Sequence, residues 1–264
     1  MTALLMAFVI GIGIAVVEGT TLKNFMNEIQ TIVEKIITNI IIPFLPLYVA
    51  GIFANMTYAG EIVKIMSVFA KVFGIIIILH FVILLVQYTI AGTLAGANPI
   101  LLIRKMLPAY FTAIGTQSSA ATIPVTLKQT KENGVNEGIA DFTIPLCATI
   151  HLSGSTITLV SCSMAVMMLH GMPITFSGMF GFILMLGVTM VAAPGVPGGA
   201  VMAALGLLES MLGFGPELTS LMIALYLTQD SFGTACNVTG DGAISIIVNR
   251  IAGFKLIPPK KEEV

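Results

Sequence analysis

Charged residues are scarce in this sequence. Asp, Glu, Lys and Arg together supply 9% of its 264 residues, whereas soluble domains carry about a quarter. The hydrophobic share is 56% and the mean hydropathy is +1.00. A soluble globular domain is therefore excluded, and long apolar runs predict an all-α integral membrane protein rather than a barrel. The formal net charge of -1 at pH 7 predicts no nucleic-acid partner.

Tryptophan is absent and cysteine is rare. Without Trp, an interfacial aromatic belt has to be built from Tyr and Phe. Cys147, Cys162 and Cys236 lie in apolar stretches without the spacing of a metal site, so we interpret them as packing residues. His80 stands alone in another apolar run, and we interpret it as a packing histidine rather than a proton relay.

The first part of the chain contains uninterrupted apolar runs. Residues 3–17 predict a shortened transmembrane helix rather than a signal peptide, because no basic residue precedes them. Two conventional spans are predicted at about residues 36–56 and 69–91. Mixed-charge segments at residues 18–35 and 58–71 separate these three apolar runs.

Two later segments are apolar but interrupted by small and polar residues. Residues 99–115 are followed by the tip T-Q-S-S-A-A-T-I-P at residues 116–124, after which the apolar run resumes only briefly. Neither arm reaches the about 20 residues that cross a bilayer, so a re-entrant helical hairpin is predicted. A second hairpin is predicted at residues 175–212, with the tip A-A-P-G-V-P-G-G at residues 192–199.

A polar motif lies in the span after each hairpin. The first polar motif is H-L-S-G-S at residues 151–155, and the second is N-V-T-G-D at residues 237–241. Polar groups are expensive in hydrocarbon and usually line a pathway for ions or a solute. The order hairpin, polar helix, hairpin, polar helix predicts an inverted repeat of a re-entrant hairpin plus an unwound transmembrane helix, as in secondary transporters.

The placement of charge predicts the topology. Basic residues flank the base of the first hairpin and the C-terminus, and the positive-inside rule places both in the cytoplasm. These residues are Arg104, Lys105, Lys128, Lys131, Arg250, Lys255, Lys260 and Lys261. The base of the second hairpin carries Glu209 and Glu217 without Lys or Arg, so we expect it to open outward. The weak point is the loop with Lys64 and Lys71, which this topology places outside.

Three motifs resemble those of the dicarboxylate/amino acid:cation symporter family, which has the glutamate-transporter fold. They are S-S-A-A-T-I-P at 118–124, G-V-P-G-G at 195–199 and D-S-F-G-T-A-C-N-V-T-G-D at 230–241. The resemblance implies a homotrimer in the plasma membrane, with a transport domain that moves like an elevator against a fixed scaffold. It implies partial scaffold helices at 1–68, a transport-domain helix at 69–98, a transport core at 99–254 and a cytoplasmic tail at 255–264.

Family members are usually longer, and this chain resembles them from their fourth helix onward. The resemblance implies that three helices, one of which helps to bind a cation, are missing. The chain is then a fragment, a split gene product or a protein with a late annotated start, and its activity alone is in question.

The family motifs also imply site residues. No organic cofactor is expected, and Na⁺ or H⁺ is the coupling ion. The implied cation-binding residues are Cys147, Thr149, His151, Ser153, Asn237 and Asp241, with side-chain oxygens from Asn237 and Asp241 and backbone around Cys147, Thr149 and His151. The implied substrate-binding residues are Ser118, Ser119, Ser155, Val196, Gly198, Asp230, Thr234 and Asn237. Asp230 matches the acid that pairs with a substrate ammonium.

Departures from the family pattern bear on substrate and ion. Carriers of acidic amino acids have an Arg three residues after the Asp, where this chain has Gly233, and another Arg position holds Gln117. A small or neutral substrate is therefore favoured, although a dicarboxylate held by hydroxyls and amides stays open. Ser153 replaces an Asp, His151 an Asn and Ala193 a Thr, which predicts fewer sodium ions or proton coupling. His151 as a neutral imidazole that satisfies unwound backbone is slightly favoured.

Three other functions are alternatives to a cation-coupled symporter. Ser153, His151 and Asp230 superficially offer a set for intramembrane serine hydrolysis, but Ser153 lacks the usual Gly-x-Ser-Gly context. His151 and Ser153 would also face different directions on a regular helix. A fragment that binds or regulates a full-length relative, and a passive channel, also stay open.

Overall fold

The computed structural model describes residues 2–17, 19–36, 39–40, 42–58, 60 and 62–256. These residues form α-helices without a strand, so the prediction of an all-α chain is confirmed for them. The helices are α1 Thr2–Val17, α2 Thr20–Ile36, α3 Ile42–Tyr58, α4 Ile62–Ala95, α5 Pro99–Thr116, α6 Ser119–Glu132, α7 Glu137–Ile150, α8 Ser153–Leu169, α9 Phe176–Met190, α10 Gly199–Leu212, α11 Pro216–Leu227 and α12 Asp230–Ile251.

The chain divides into two compact units, residues 1–55 and 56–264. In the first unit, the mixed-charge segment expected between two spans is itself the helix α2. Its large apolar residues recur every three or four positions, which places them on one helical face. They are exposed and are Leu22, Phe25, Ile29, Ile32 and Ile36. In the second unit, α4 begins at Ile62, so the predicted boundary between residues 68 and 69 falls inside this helix.

Helix α12 lies at the centre of the second unit. It packs against α4, α5, α6, α7 and α8, and 15 of its 22 residues are buried. Small residues such as Gly, Ala, Ser and Thr allow backbones to approach closely in membrane helices, and α12 is rich in them. The Tyr88 hydroxyl of α4 donates a hydrogen bond of 2.7 Å to the Thr239 carbonyl, which fastens α4 to this helix.

Both predicted helix–turn–helix pairs are present, while their re-entry into a membrane stays a prediction. Helices α5 and α6 are joined at Gln117 and Ser118, and α9 and α10 at residues 191–198. Gln117 has φ 52 and is the one non-glycine residue with positive φ among the described residues. The Ser118 hydroxyl accepts a hydrogen bond of 3.2 Å from the Ala121 N–H and so caps α6.

The two polar motifs differ in backbone structure. At the first motif the helix breaks, since α7 ends at Ile150 and α8 begins at Ser153. At the second motif α12 is continuous, so the prediction of an unwound helix there is wrong; the break lies upstream, between α11 and α12. The glycines of the second motif serve close packing. A Cβ at Gly240 would lie 2.6 Å from His151 Cε1, and one at Gly242 would lie 2.7 Å from the Tyr88 hydroxyl.

Two helical stretches among the described residues are long and apolar enough to cross a membrane, by length and composition alone. They are Met66–Ala95 and Glu137–Leu169. An ion-pair cluster links the end of α6 to the start of α7, since the half-buried Lys131 has its ammonium 2.8 Å from Asp141 and 2.9 Å from Glu137. The hydrogen bonds that this ammonium donates to the two carboxylates, Asp141 first, raise the pKa of Lys131.

Candidate functional site

One face of α12 carries four of the predicted site residues. Asp230, Thr234, Asn237 and Asp241 are separated by four, three and four positions, which aligns them along one side of an α-helix. All four are buried, with exposed fractions of 4%, 5%, 1% and 1%. A single continuous helix therefore positions four of the predicted site residues, and the spacing of these polar residues is the signal that predicts it.

The Asn237 amide spans the break between α7 and α8. Its oxygen accepts hydrogen bonds from the N–H groups of Gly154 at 2.7 Å and Ser155 at 3.3 Å, and its nitrogen donates to the Ser155 hydroxyl at 2.8 Å. In a regular helix, these two N–H groups would bond to the carbonyls of Ile150 and His151. Because these N–H groups donate to Asn237 instead, the carbonyl oxygens of Ile150 and His151 lack the hydrogen bonds that they would accept in a regular helix.

His151 links three helices at the break. Its Nδ1 lies 2.8 Å from Asp241 Oδ1 on α12, and its Nε2 lies 3.1 Å from Gln87 Nε2 on α4. The His151 backbone N–H still donates to the Cys147 carbonyl at 2.8 Å, which ends α7. The imidazole thus satisfies a buried carboxylate rather than unwound backbone.

The tips of the two helix pairs meet above the start of α12. The Ser118 hydroxyl donates a hydrogen bond of 2.6 Å to the Gly195 carbonyl, so the first tip is fastened to the second. The Gly198 N–H donates a hydrogen bond of 2.6 Å to Asp230 Oδ2. Gly198 has φ 72, a conformation that side chains disfavour, and this places its N–H toward α12.

Replacing Ser118 with Ala is expected to loosen the contact between the tips. The change removes both the hydrogen bond to Gly195 and the cap of α6, and losing such a cap costs about 1 kcal/mol. Hydrogen exchange of the amides in residues 193–199 should accelerate. The matched control is Ser210→Ala, whose hydroxyl bonds to the Gly206 carbonyl within α10. Unchanged exchange in this segment would show that the Ser118 bond does not hold the tips together.

The other predicted site residues differ in burial and in hydrogen bonding. Ser119 is buried at the start of α6, and Val196 is half-buried in the second tip. Thr149 is exposed, and its hydroxyl bonds back to the Leu146 carbonyl at 2.8 Å. The Ser153 hydroxyl is buried and has no hydrogen-bond partner among the residues that the structure describes.

The geometry does not assemble the hydrolase set that the sequence superficially offers. Both ring nitrogens of His151 are engaged by Asp241 and Gln87, so neither is bonded to the Ser153 hydroxyl. Asp230 bonds to the Gly198 N–H and not to His151. A nucleophile, a base and an acid in contact are the minimum that such catalysis requires.

Sequence reasoning missed the contribution of α4. Gln87 contacts His151, and the buried His80 places its Nε2 3.0 Å from the Gly154 carbonyl and 3.2 Å from the Thr158 hydroxyl. His80 and Gln87 are seven residues apart, so they share one helical face. Polar residues at this spacing in an apolar span were the available signal. His80 is hydrogen-bonded, as is expected of a packing histidine, and it packs against α8, the helix that begins after the break.

Comparisons with known proteins agree with this arrangement. The family model described as the sodium:dicarboxylate symporter family matches residues 1–251. The serine/threonine transporter SstT of Acinetobacter baumannii (strain SDF) is 29% identical over 244 residues, which are 90% of this chain and 60% of that protein. Excitatory amino acid transporter 1 of Ambystoma tigrinum is 26% identical over 256 residues, 95% of this chain and 46% of that protein. The chain therefore spans less than two thirds of the length of these relatives. Because the family model covers nearly all of the sequence, the chain belongs to the sodium:dicarboxylate symporter family.

Proposed function

We infer that this chain contains the transport core of a secondary transporter that couples uptake of a small neutral amino acid to a cation. The observation that carries this proposal is the buried carboxylate of Asp230, which lies where the two tips meet and has no arginine beside it. Membership of a symporter family supports the reaction class, and one relative is named a serine/threonine transporter. The chain spans only part of the length of these relatives, so the transport activity of the whole protein is itself proposed.

The amino-acid backbone would be held between the tips and α12. The carboxylate of Asp230 would bind the substrate ammonium, since a buried charge is costly unless paired. Ser118 caps α6 and Ser119 is its first residue, and at this N-terminus the helix dipole favours an anion such as the substrate carboxylate. Thr234 and Ser155 add hydroxyls. Val196 and Gly198 in the second tip would close over the ligand as a gate.

The lack of a nearby guanidinium favours a neutral side chain. The sequence contains two arginines, Arg104 and Arg250. Arg250 lies 20 residues after Asp230 on α12, about 30 Å along a helix, and Arg104 lies 12 residues before the end of α5 at the first tip, about 18 Å along a helix. Gly233 offers no side chain at the position of the family's Arg. A second substrate carboxylate would therefore lack the bidentate partner that planar anions prefer.

The cation would bind deeper, around the break in the first polar motif. Oxygen atoms are the ligands for Na⁺, and the carboxylate of Asp241 lies close to backbone carbonyls that have lost their helical donors. Backbone oxygens of Cys147, Thr149 and His151, with Asn237 and Ser153 nearby, complete the proposed set. Proton coupling is the alternative, because His151 and Asp241 are both titratable.

We also propose an oligomeric state, a cellular location and a type of movement for the protein. Family resemblance supports a homotrimer in the plasma membrane, an elevator-type movement of a core formed by residues 99–254, and a scaffold that includes residues 1–68. The basic residues at the base of the first hairpin and around the end of α12 support a cytoplasmic C-terminus. A passive channel would differ by failing to concentrate substrate in vesicles.

The first test is ligand-induced stabilisation of the purified chain. We expect serine, threonine or alanine to raise its unfolding temperature in sodium chloride and less so in choline chloride. A ligand at a hundred times its dissociation constant stabilises by about 2.7 kcal/mol. A shift with aspartate, glutamate or a dicarboxylate alone would contradict the substrate class. No shift from a folded sample would contradict a complete site in this chain and favour a segment that acts only with another part of a longer transporter.

A further inference from the structure

The imidazole of His151 uses both of its nitrogens within the protein. With the Gln87 amide nitrogen donating to Nε2 at 3.1 Å, the ring carries its proton on Nδ1 and donates it to Asp241 Oδ1 at 2.8 Å. The ring then has no lone pair to offer a cation. One lone pair of Asp241 Oδ1 in turn accepts this N–H group, whose positive end would face a cation placed on the same side of that oxygen.

The ring is held in this position by the helices around it. Gly240 leaves room for it, because a Cβ there would lie 2.6 Å from His151 Cε1 and 2.7 Å from Gln87 Oε1. Gln87 Oε1 is buried and has no hydrogen-bond partner within the described part of the chain, so the bond to the ring is the hydrogen bond that positions the amide. Asp241 itself is 1% exposed, which leaves little room for solvent to replace the imidazole.

Asp241 is the charged group that the described residues place against this ring. The other titratable groups near Asp241 are the thiols of Cys147 and Cys236 and the hydroxyl of Tyr88, which donates to the Thr239 carbonyl. His80 on α4 is turned to Gly154 and Thr158 instead. Among the described residues, Asp241 is therefore the carboxylate that His151 contacts, and Gln87 on α4 holds the ring in that position.

We propose that His151 is a tethered competitor of the transported cation: its imidazole occupies Asp241 when no cation is bound and must leave that carboxylate before a cation can bind there. Gln87 is a positioning residue that holds the ring in the competing position. The proposal rests on the proposed function, since it assumes that Asp241 belongs to the cation site. It assigns the side chain of His151 the opposite role to that of a ligand, and it makes His151 a determinant of cation affinity.

The test measures sodium binding without any substrate. The unfolding temperature of the purified chain is recorded against sodium chloride at one pH, with choline chloride keeping the ionic strength constant. For His151→Asn, the sodium concentration that gives half of the full shift should fall about tenfold, which corresponds to about 1.4 kcal/mol. For Gln87→Met, which keeps the ring but removes its anchor, we expect a fall of about threefold. The matched control is His170→Asn, whose ring contacts the Val166 carbonyl at the end of α8, and it should leave the value unchanged.

Each outcome decides the proposal. A higher sodium requirement in His151→Asn, or loss of the sodium response, would show that the imidazole is a ligand, and an unchanged value would show that it does not compete. If the unaltered chain gives no sodium shift, a shift gained by His151→Asn or Gln87→Met supports the proposal, and none in either variant overturns it. Because no amino acid is present, an error in the proposed substrate class shows only in the ligand test above.

Discussion

Replacing Asp230 with Asn is expected to weaken amino-acid binding by at least about 30-fold, because removing one partner of a buried charge pair costs 2–5 kcal/mol. Asn keeps an oxygen that can accept the Gly198 N–H, so the contact with the second tip survives while the negative charge is lost. The dissociation constant is measured by the thermal shift against amino-acid concentration, or by calorimetry. The loss should appear as weaker binding without a large change in the stability of the unliganded protein.

Two comparisons make this result specific. A hydroxy acid lacks the ammonium group, so it should bind weakly and equally to the Asp230→Asn variant and to the unaltered chain. The matched variant Asp141→Asn changes an exposed carboxylate that pairs with Lys131 at the start of α7, and it should bind amino acids normally. If Asp230→Asn binds amino acids with full affinity, Asp230 does not pair with the ammonium.

Replacing Gly154 with Ala is expected to destabilise the protein by about 3 kcal/mol, the upper part of the usual range for overpacking. The added Cβ would meet the Gly233 carbonyl oxygen and would lie 2.6 Å from Cys236 Cβ, both on α12. A backbone carbonyl cannot rotate away as a flexible side chain can, so α8 and α12 would have to separate. The midpoint of thermal or denaturant unfolding measures the loss.

The control for this prediction is another glycine within a helix. At Gly187 on α9, a Cβ would meet no atom within 4 Å among the described residues beyond the adjacent residues and the backbone of its own helix, so Gly187→Ala should be neutral or stabilise by up to about 1 kcal/mol. Gly233→Ala should be intermediate, since its nearest contacts of 3.4 Å are ordinary. Equal stability of Gly154→Ala and Gly187→Ala would mean that the close crossing of α8 and α12 does not exist.

The helical pairs and the first break were predictable because their causes are local. Short apolar arms, a tip rich in proline and glycine, and a polar cluster within an apolar run act through neighbouring residues. The face of α12 was predictable for the same reason, since Asp230, Thr234, Asn237 and Asp241 follow the period of one helix.

The error at the second polar motif has a different cause. A glycine in a helix can allow an unusual backbone or allow another atom to approach, and the sequence does not distinguish the two. Gly240 serves the second purpose, and the atoms that approach it belong to His151 and Gln87, far away in the chain. The role of Gln87 was missed for the same reason, because its partner His151 is 64 residues away.

The bond between Asn237 and the start of α8 also orders the folding of the chain. Leu152, which precedes α8, provides no side-chain cap, so the N–H groups of Gly154 and Ser155 depend on an amide 83 and 82 residues further on. During synthesis, those two donors have no partner of this kind until α12 has emerged and docked. The cap at the first turn of α8 therefore forms only after α12 has docked, and the two segments that meet at the break depend on a helix that is made later.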